Sequence, residues 1–285
     1  MNEHTDCPRC GGTPAPDGRC WECGADLSDL LGHTRADAGA DGAAGYGERG
    51  PGRRLNADAL ALRTTGPWTV GAVCDGVSMA PRAERAARIA AEVTVQTLAR
   101  ALAAGAIPED ALTDATARAG RAVAALAAPG GPRPDPLVPG SLAPSCTQVA
   151  CVVGEHGLWV SWVGDSRAYW LPDTGTGMLL TEDDTGEHDA LVAWLGADAA
   201  DPVPRIRSHR PPCPGRLLLC TDGLWRHLPD PDDLRTAAAT ADAAETARTL
   251  VRHVLDAGGR DDATALLVPV RGRPPAETGG APPVT

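Results

Sequence analysis

A chain of 285 residues with a net charge of −11 can hold one large domain with a small appendage, or two domains. The acidity argues against nonspecific nucleic-acid binding, which needs a basic footprint on phosphate, and no apolar run approaches the roughly 18 residues that span a bilayer. The N-terminus lacks a basic and apolar leader, and the nine cysteines are odd in number. This favours reduced thiols and metal ligation over a disulfide framework, in a soluble, cytoplasmic protein.

The first segment, CPRCGGTPAPDGRCWECGADL, sets Cys7, Cys10, Cys20 and Cys23 as two Cys-x-x-Cys pairs, each followed by Gly. Thiolates three positions apart on a tight turn can face one tetrahedral centre, so two such turns predict a structural Zn2+ held by four sulfurs. A redox-active pair is the alternative, but it calls for one pair at a strand-to-helix junction, not two in a Pro/Gly-rich stretch. The ribbon is assigned to residues 1–26. Residues 27–52, rich in Ala, Gly and Asp, read as a flexible linker, with a short helix near Leu27 to Leu31. The main domain spans 53–270, interrupted by a low-complexity loop from Ala128 to Pro144, and the Pro/Gly-rich tail 271–285 reads as disordered.

Periodicity predicts strands at Ala57–Arg63, Trp68–Cys74, Cys146–Val153, Leu158–Val163, Arg167–Leu171, Arg205–His209, Arg216–Cys220 and Ala263–Val270. Helices are predicted at Pro81–Ala104, with Ser78 as its cap, and at Pro108–Ala127, His188–Leu195 and Ala238–Leu255. Strands joined by short turns, with long helices between them, give an α+β class with layered sheets.

Two of these strands stop in the same way. WTVGAVCDGVSMAP and RLLLCTDGLWRHL each carry an apolar run into Asp-Gly and then into helical sequence, at Asp75-Gly76 and Asp222-Gly223. An isolated Asp-Gly reads as a turn. Three more acids stand at strand ends: Asp58 in RRLNADAL, Asp165 in WVGDSRAYW and Asp261 in GGRDDATALLV. Acids at the ends of several strands can converge on one edge, and an all-oxygen set suits hard ions such as Mg2+ or Mn2+. A pair of such ions relieves the repulsion among the acids and assists in-line displacement at phosphorus.

In order and spacing, ERGPGRRLNADAL, VCDGVSMA, SCTQVACVV with GLWVSWVGDSRAYWL, LLTEDDT with VAWLGAD, LLLCTDGLWRHL and GGRDDATALLV resemble the motifs of the bacterial protein phosphatase 2C family, metal-dependent Ser/Thr phosphatases. The resemblance covers about Glu48 to Val270. It implies a four-layer α-β-β-α sandwich of two antiparallel sheets with a two-metal site at one end. By the same resemblance, Asp75 bridges both Mn2+ or Mg2+ ions with help from the Gly76 carbonyl. Asp222 and Asp261 ligate, and Asp58 lies in or just behind the ligand set. Arg53, or Arg54 in the neighbouring register, grips the substrate phosphate. Asp165 corresponds to an acid that with Asp222 holds a third, weaker Mn2+ or Mg2+. The implied substrates are phosphoproteins, targets of a Ser/Thr kinase, and the ribbon is a docking module for a protein partner.

The chain departs from that pattern at Ala57, where Glu is usual, at Ser78-Met79 in place of two glycines, at Arg226, where an acid sometimes serves the third metal, and at Asp262 in place of Asn. These departures sustain an alternative reading, a catalytically weak or inactive phosphatase-like binding protein that recruits partners through its ribbon. His227 is read as surface or packing, since an oxygen site needs no His. Cys74, Cys146, Cys151, Cys213 and Cys220 are read as core, and Trp159, Trp162, Trp170 and Trp194 as packing anchors.

Overall fold

The computed structural model describes residues 7, 9–10, 19–27, 33–37, 42–53, 55–127, 143–201, 203–238 and 242–272. The strands are β1 (His33–Asp37), β2 (Ala44–Glu48), β3 (Ala59–Thr65), β4 (Trp68–Cys74), β5 (Ser145–Cys146), β6 (Gln148–Gly154), β7 (Gly157–Val163), β8 (Arg167–Pro172), β9 (Met178–Leu179), β10 (Leu195–Gly196), β11 (Arg205–His209), β12 (Gly215–Cys220) and β13 (Ala263–Val270). The helices are α1 (Ala83–Ala103), α2 (Pro108–Ala124), α3 (Asp222–Trp225), α4 (Pro231–Ala237) and α5 (Ala243–Asp256).

Two antiparallel sheets form, in the orders β1-β2-β13-β12-β8-β9 and β11-β7-β6-β4-β3, with β5 and β10 pairing separately. Their apolar runs are nearly continuous because both faces of each central strand are covered. Along β4, β6, β12 and β13 alternate side chains divide between layers, as a period of two requires. Val73, Val149, Cys151, Leu217, Leu219, Leu266 and Val268 meet between the sheets. Val70, Ala72, Cys74, Ala150 and Val152 instead pack under α1 and α2, while Leu218, Cys220, Ala265 and Leu267 pack under α4 and α5. The result is an α-β-β-α sandwich.

The alanines of α1 at 83, 86, 87, 90 and 91 are all buried at helical spacing, and their small size lets the helix lie close on the sheet. A polar link crosses this apolar layer. Gln148 Nε2 donates to Thr94 Oγ1 at 2.5 Å, and Thr116 Oγ1 donates to Gln148 Oε1 at 2.8 Å. Sheet and both helices are thereby joined through fully buried groups, each with its partner.

Four expectations need correction. Ala44–Glu48, assigned to a flexible linker, is β2, which pairs with both β1 and β13. Its small residues fit a crowded place: a Cβ on Gly45 would come within 3.1 Å of the Ala265 carbonyl oxygen and of the Leu60 and Leu266 side chains. The helix expected at His188–Leu195 is a single 3-10 turn at Glu187–Asp189 followed by β10, and the unbroken apolar run there lacks helical spacing. The helix expected from Ala238 begins at Ala243, and α4 precedes it. Cys213, read as core, is half-buried ahead of β12. The predicted helix near Leu27 to Leu31, apart from Leu27 itself, lies outside the described residues. So do residues 128–142 of the low-complexity loop, residues 273–285 of the tail, and Arg54.

Candidate active site

The pairing of Ala59 with Cys74 and of Cys220 with Ala265 and Arg167 brings the ends of β4 and β12 to the same end of the sandwich as the starts of β3, β8 and β13. Asp58, Asp75, Asp165, Asp222 and Asp261 occupy those ends. Asp75 feels the charges of Asp58, Asp222, Asp165 and Asp261, in that order after burial, and its carboxyl is pushed well above the usual range. All five predicted acids are therefore electrostatically one cluster.

Asp75 is fixed through its backbone. Its N–H donates to Thr147 Oγ1 at 3.2 Å, and its carbonyl accepts from Thr147 N at 2.8 Å. The Thr147 and Ser166 hydroxyls are 2.8 Å apart, which ties this strand end to the turn that carries Asp165. That turn needs Gly164, where φ is +106° and a Cβ would lie 2.7 Å from the Thr147 side chain. At Gly76 a Cβ would come within 2.7 Å of the Ala83 backbone and 2.8 Å of the Ala57 carbonyl oxygen. The glycine after Asp75 thus lets α1 and the Asp58 loop close on the strand end.

Asp58 is buried, and both Thr221 Oγ1 and Thr264 Oγ1 donate to its Oδ2 at 2.8 Å. Its Oδ1 has no partner. Burial and the neighbouring Asp262 raise its carboxyl well above the usual range, against the two hydroxyls. Asp165 is pushed up to about 6 by burial, then by Asp222 and Asp183. An unpartnered buried carboxylate oxygen on Asp58, beside acids whose charges raise Asp58 and Asp75, is what a divalent cation would relieve, and the donors are all oxygen. The residues present fit Mg2+ or Mn2+.

Two guanidiniums stand among these acids. Arg53 Nη2 donates to Asp261 Oδ1 and, at 3.1 Å, to Ser78 Oγ. Arg226 Nε donates to Asp222 Oδ2 at 2.8 Å. Ser78, expected to cap α1, is thus a partner of Arg53. Arg82 occupies the helix start, with φ 55° and no side-chain cap, and its Nη2 donates to the Leu126 carbonyl at 2.6 Å.

Sequence reasoning missed Thr147, Ser166, Thr221 and Thr264, which carry no motif of their own. It also read Asp262 only as added charge. Asp262 Oδ1 accepts from Gly50 N at 2.8 Å and Oδ2 from Ala57 N at 2.7 Å, bracing the loop that presents Arg53. His227 is exposed, as expected.

In the N-terminal segment Cys7, Cys10, Cys20 and Cys23 bring their sulfurs within 4.8 Å of one another, and among the described residues they alone form so close a set. Burial raises the Cys7 thiol, but the backbone N–H groups of Arg9 and Cys10 and the nearby thiols outweigh it and bring it to about 7. Burial pushes Cys20 up to about 12. Four sulfurs at this spacing fit a tetrahedral Zn2+.

Residues 52–258 match the family model described as Protein phosphatase 2C. The chain is similar to the PPM Ser-Thr phosphatase MsPP from Mycobacterium smegmatis, at 26% identity and TM-score 0.60, over 82% of this chain and 100% of that one. It is similar to the catalytic domain of the serine threonine protein phosphatase PstP solved with two manganese ions, at 25% identity and TM-score 0.56, over 80% and 97%. The Mycobacterium tuberculosis phosphatase PstP/Ppp shares the fold at 24% identity and TM-score 0.58, over 80% and 98%. No curated protein matches the chain. Among the described residues no helix is long and apolar enough to cross a membrane.

Proposed function

Because the chain belongs to the protein phosphatase 2C family, whose members are metal-dependent serine/threonine phosphatases, we propose that it hydrolyses phosphoserine and phosphothreonine in phosphoproteins at a binuclear Mg2+ or Mn2+ site. The observation that carries this reading is the convergence of Asp58, Asp75, Asp165, Asp222 and Asp261 on one end of the sandwich, with Arg53 beside Asp261.

Asp75, Asp222 and Asp261 would hold the metals, with the Gly76 carbonyl, and Asp58 would support them through its free Oδ1. Bound divalent ions supply an activated water and neutralise charge that develops in an in-line displacement at phosphorus. Arg53 exchanges part of its pairing with Asp261 for the phosphate oxygens, which its forked guanidinium suits, and Ser78 steadies it in place. The leaving oxygen would take its proton from water, since no His follows Asp75-Gly76 at the start of α1. The ribbon would hold one structural Zn2+ and dock a protein partner, the substrates would be targets of a Ser/Thr kinase, and the protein would act in the cytoplasm.

One observation favours the alternative of a weak or inactive binding protein: Arg53 and Arg226 already pair with two of the metal acids. Turnover of a phosphothreonine peptide with Mn2+, with chelator, and by Asp222→Asn separates the two. Mn2+-dependent turnover lost in the variant is the expected result. Wild-type turnover no higher than that of Asp222→Asn rejects the enzyme reading.

A further inference from the structure

Arg226 lies against acids from separate parts of the chain. Its Nε donates to Asp222 Oδ2 at 2.8 Å, and its Nη2 stands 3.7 Å from Asp165 Oδ2. Asp189, in the 3-10 turn between β9 and β10, adds a further attraction. The guanidinium carbon lies 4.9 Å from the centroid of the Trp225 ring. That indole is itself held: its Nε1 donates to the Asp165 carbonyl at 2.9 Å, and Arg167 stacks on it at 3.5 Å. Arg167 in turn is gripped by both oxygens of Asp183, at 2.9 and 2.8 Å. The arrangement is therefore built, not a surface pair swinging in solvent.

The partners differ in exposure. The side chains of Asp165 and Asp222 are 12% and 18% exposed, and that of Arg226 is 43% exposed. Two largely buried acids facing each other need a counter-charge, and the guanidinium supplies it from the solvent side. A divalent ion bridging Asp165 and Asp222 would compete with Arg226 for these carboxylates and would meet its positive charge at close range.

We propose that Arg226 is a resident cation standing where a divalent ion would bridge Asp165 and Asp222, so that the centre takes two divalent ions and no third. This rests on the reading that Asp75, Asp222 and Asp261 hold metals. It assigns Asp165 a different task from theirs: in this chain it positions Arg226 and does not ligate. The same lock makes Arg226 a competitor of the metal at Asp222, so its removal also tightens metal binding there.

Counting Mn2+ bound per chain by electron paramagnetic resonance, on the full zinc-loaded protein, tests this without any assay of turnover. Wild type and Asp165→Asn are expected to bind two ions each. Arg226→Ala and Arg226→Gln gain a third, which Arg226→Ala/Asp165→Asn loses again. Arg226→Lys, which keeps the charge, stays at two. A third ion in wild type that disappears in Asp165→Asn overturns the proposal, as does a count that stays at two in both neutral variants. Fewer than two ions in wild type overturns the binuclear reading and this inference with it.

Discussion

The Thr264 hydroxyl donates to Asp58 Oδ2 at 2.8 Å, across 206 residues of sequence. With Thr221 doing the same, one oxygen of the carboxylate is fully engaged and the other, Oδ1, is left without a partner. The two hydroxyls aim the free oxygen and favour the charged form against burial. Hydrogen bonds to charged groups contribute about 1.5–3 kcal/mol, so Thr264→Val should raise the Mn2+ concentration for half-maximal activity by about tenfold or more, since about 1.4 kcal/mol is a factor of ten. Thr264→Ser, which keeps the hydroxyl, should stay near wild type. A metal titration of activity in the three proteins checks this.

Asp262 predicts a different kinetic signature. It receives Gly50 N and Ala57 N on separate oxygens and so braces both ends of the loop that presents Arg53. Asp262→Ala leaves both N–H groups without that acceptor and loosens the phosphate-binding guanidinium while leaving Asp75 and Asp222 in place. The KM for a phosphopeptide should rise by about tenfold, the effect of losing roughly 1.4 kcal/mol of binding, with a smaller fall in kcat. Steady-state kinetics at saturating Mn2+ separates the two parameters.

Much of this site is legible in the sequence because strands that end in Asp-Gly leave a mark of both period and chemistry, as at Asp75 and Asp222. Short apolar or alternating runs bounded by turn residues located β3, β4, β6, β7, β8, β11, β12 and β13 close to their observed bounds. The residues that hold the acids were not legible. Thr147, Thr221 and Thr264 are ordinary strand formers, and only the pairing of distant strands shows what their hydroxyls face. β2 escaped because Ala-Gly-Tyr-Gly-Glu has little hydrophobic period; its place is set by close packing on β13. α4 could have been found: Asp230 followed by Pro231 is a helix start, and Asp230 does accept from Asp232 N and Asp233 N. Ser78 had the right chemistry for a cap, but its hydroxyl is taken by Arg53.

The raised carboxyls make stability depend on pH in a stated direction. Asp165 is pushed up to about 6 from an ordinary 3.8, and burial, with neighbouring acids, raises Asp58 and Asp75 well above the usual range. A carboxyl raised on folding holds its proton more tightly in the folded state. Its contribution is therefore fully present below the ordinary value and is lost as pH rises through the folded value. Without Mn2+ or Mg2+, the melting temperature should rise as pH falls from 7 toward 5. Saturating Mn2+ should remove this trend, since a cation favours the charged acids. Thermal unfolding across that range, with and without Mn2+, is the measurement; a metal-free protein that is most stable at pH 7 would contradict the clustering.

Close packing around Gly76 predicts a loss that no change of charge can mimic. A Cβ there meets backbone atoms of Ala83 and Ala57 at 2.7–2.8 Å, and backbone, unlike a flexible side chain, cannot turn aside. Gly76→Ala should cost about 1–3 kcal/mol, the usual range for overpacking, and push α1 from the end of β4. Because Asp75 is the adjacent residue, Mn2+ affinity should fall along with stability. Chemical denaturation and metal titration on the one variant test both.

The four sulfurs of the ribbon make a last prediction that is independent of the acids. Cys7 and Cys10 come from one turn and Cys20 and Cys23 from another. Their cross contacts, 3.6 Å for Cys7 with Cys23 and 3.4 Å for Cys10 with Cys20, place all four around one point. Burial holds Cys20 up at about 12, while backbone N–H groups and the neighbouring thiols outweigh burial at Cys7 and bring it to about 7; a Zn2+ would draw all four into the thiolate form. The double variant Cys7→Ser/Cys10→Ser should lose one tightly held zinc per chain by elemental analysis. Turnover of a small phosphopeptide should persist, because the acids belong to a separate core. Loss of both zinc and turnover would show instead that the ribbon supports the fold of the catalytic sandwich.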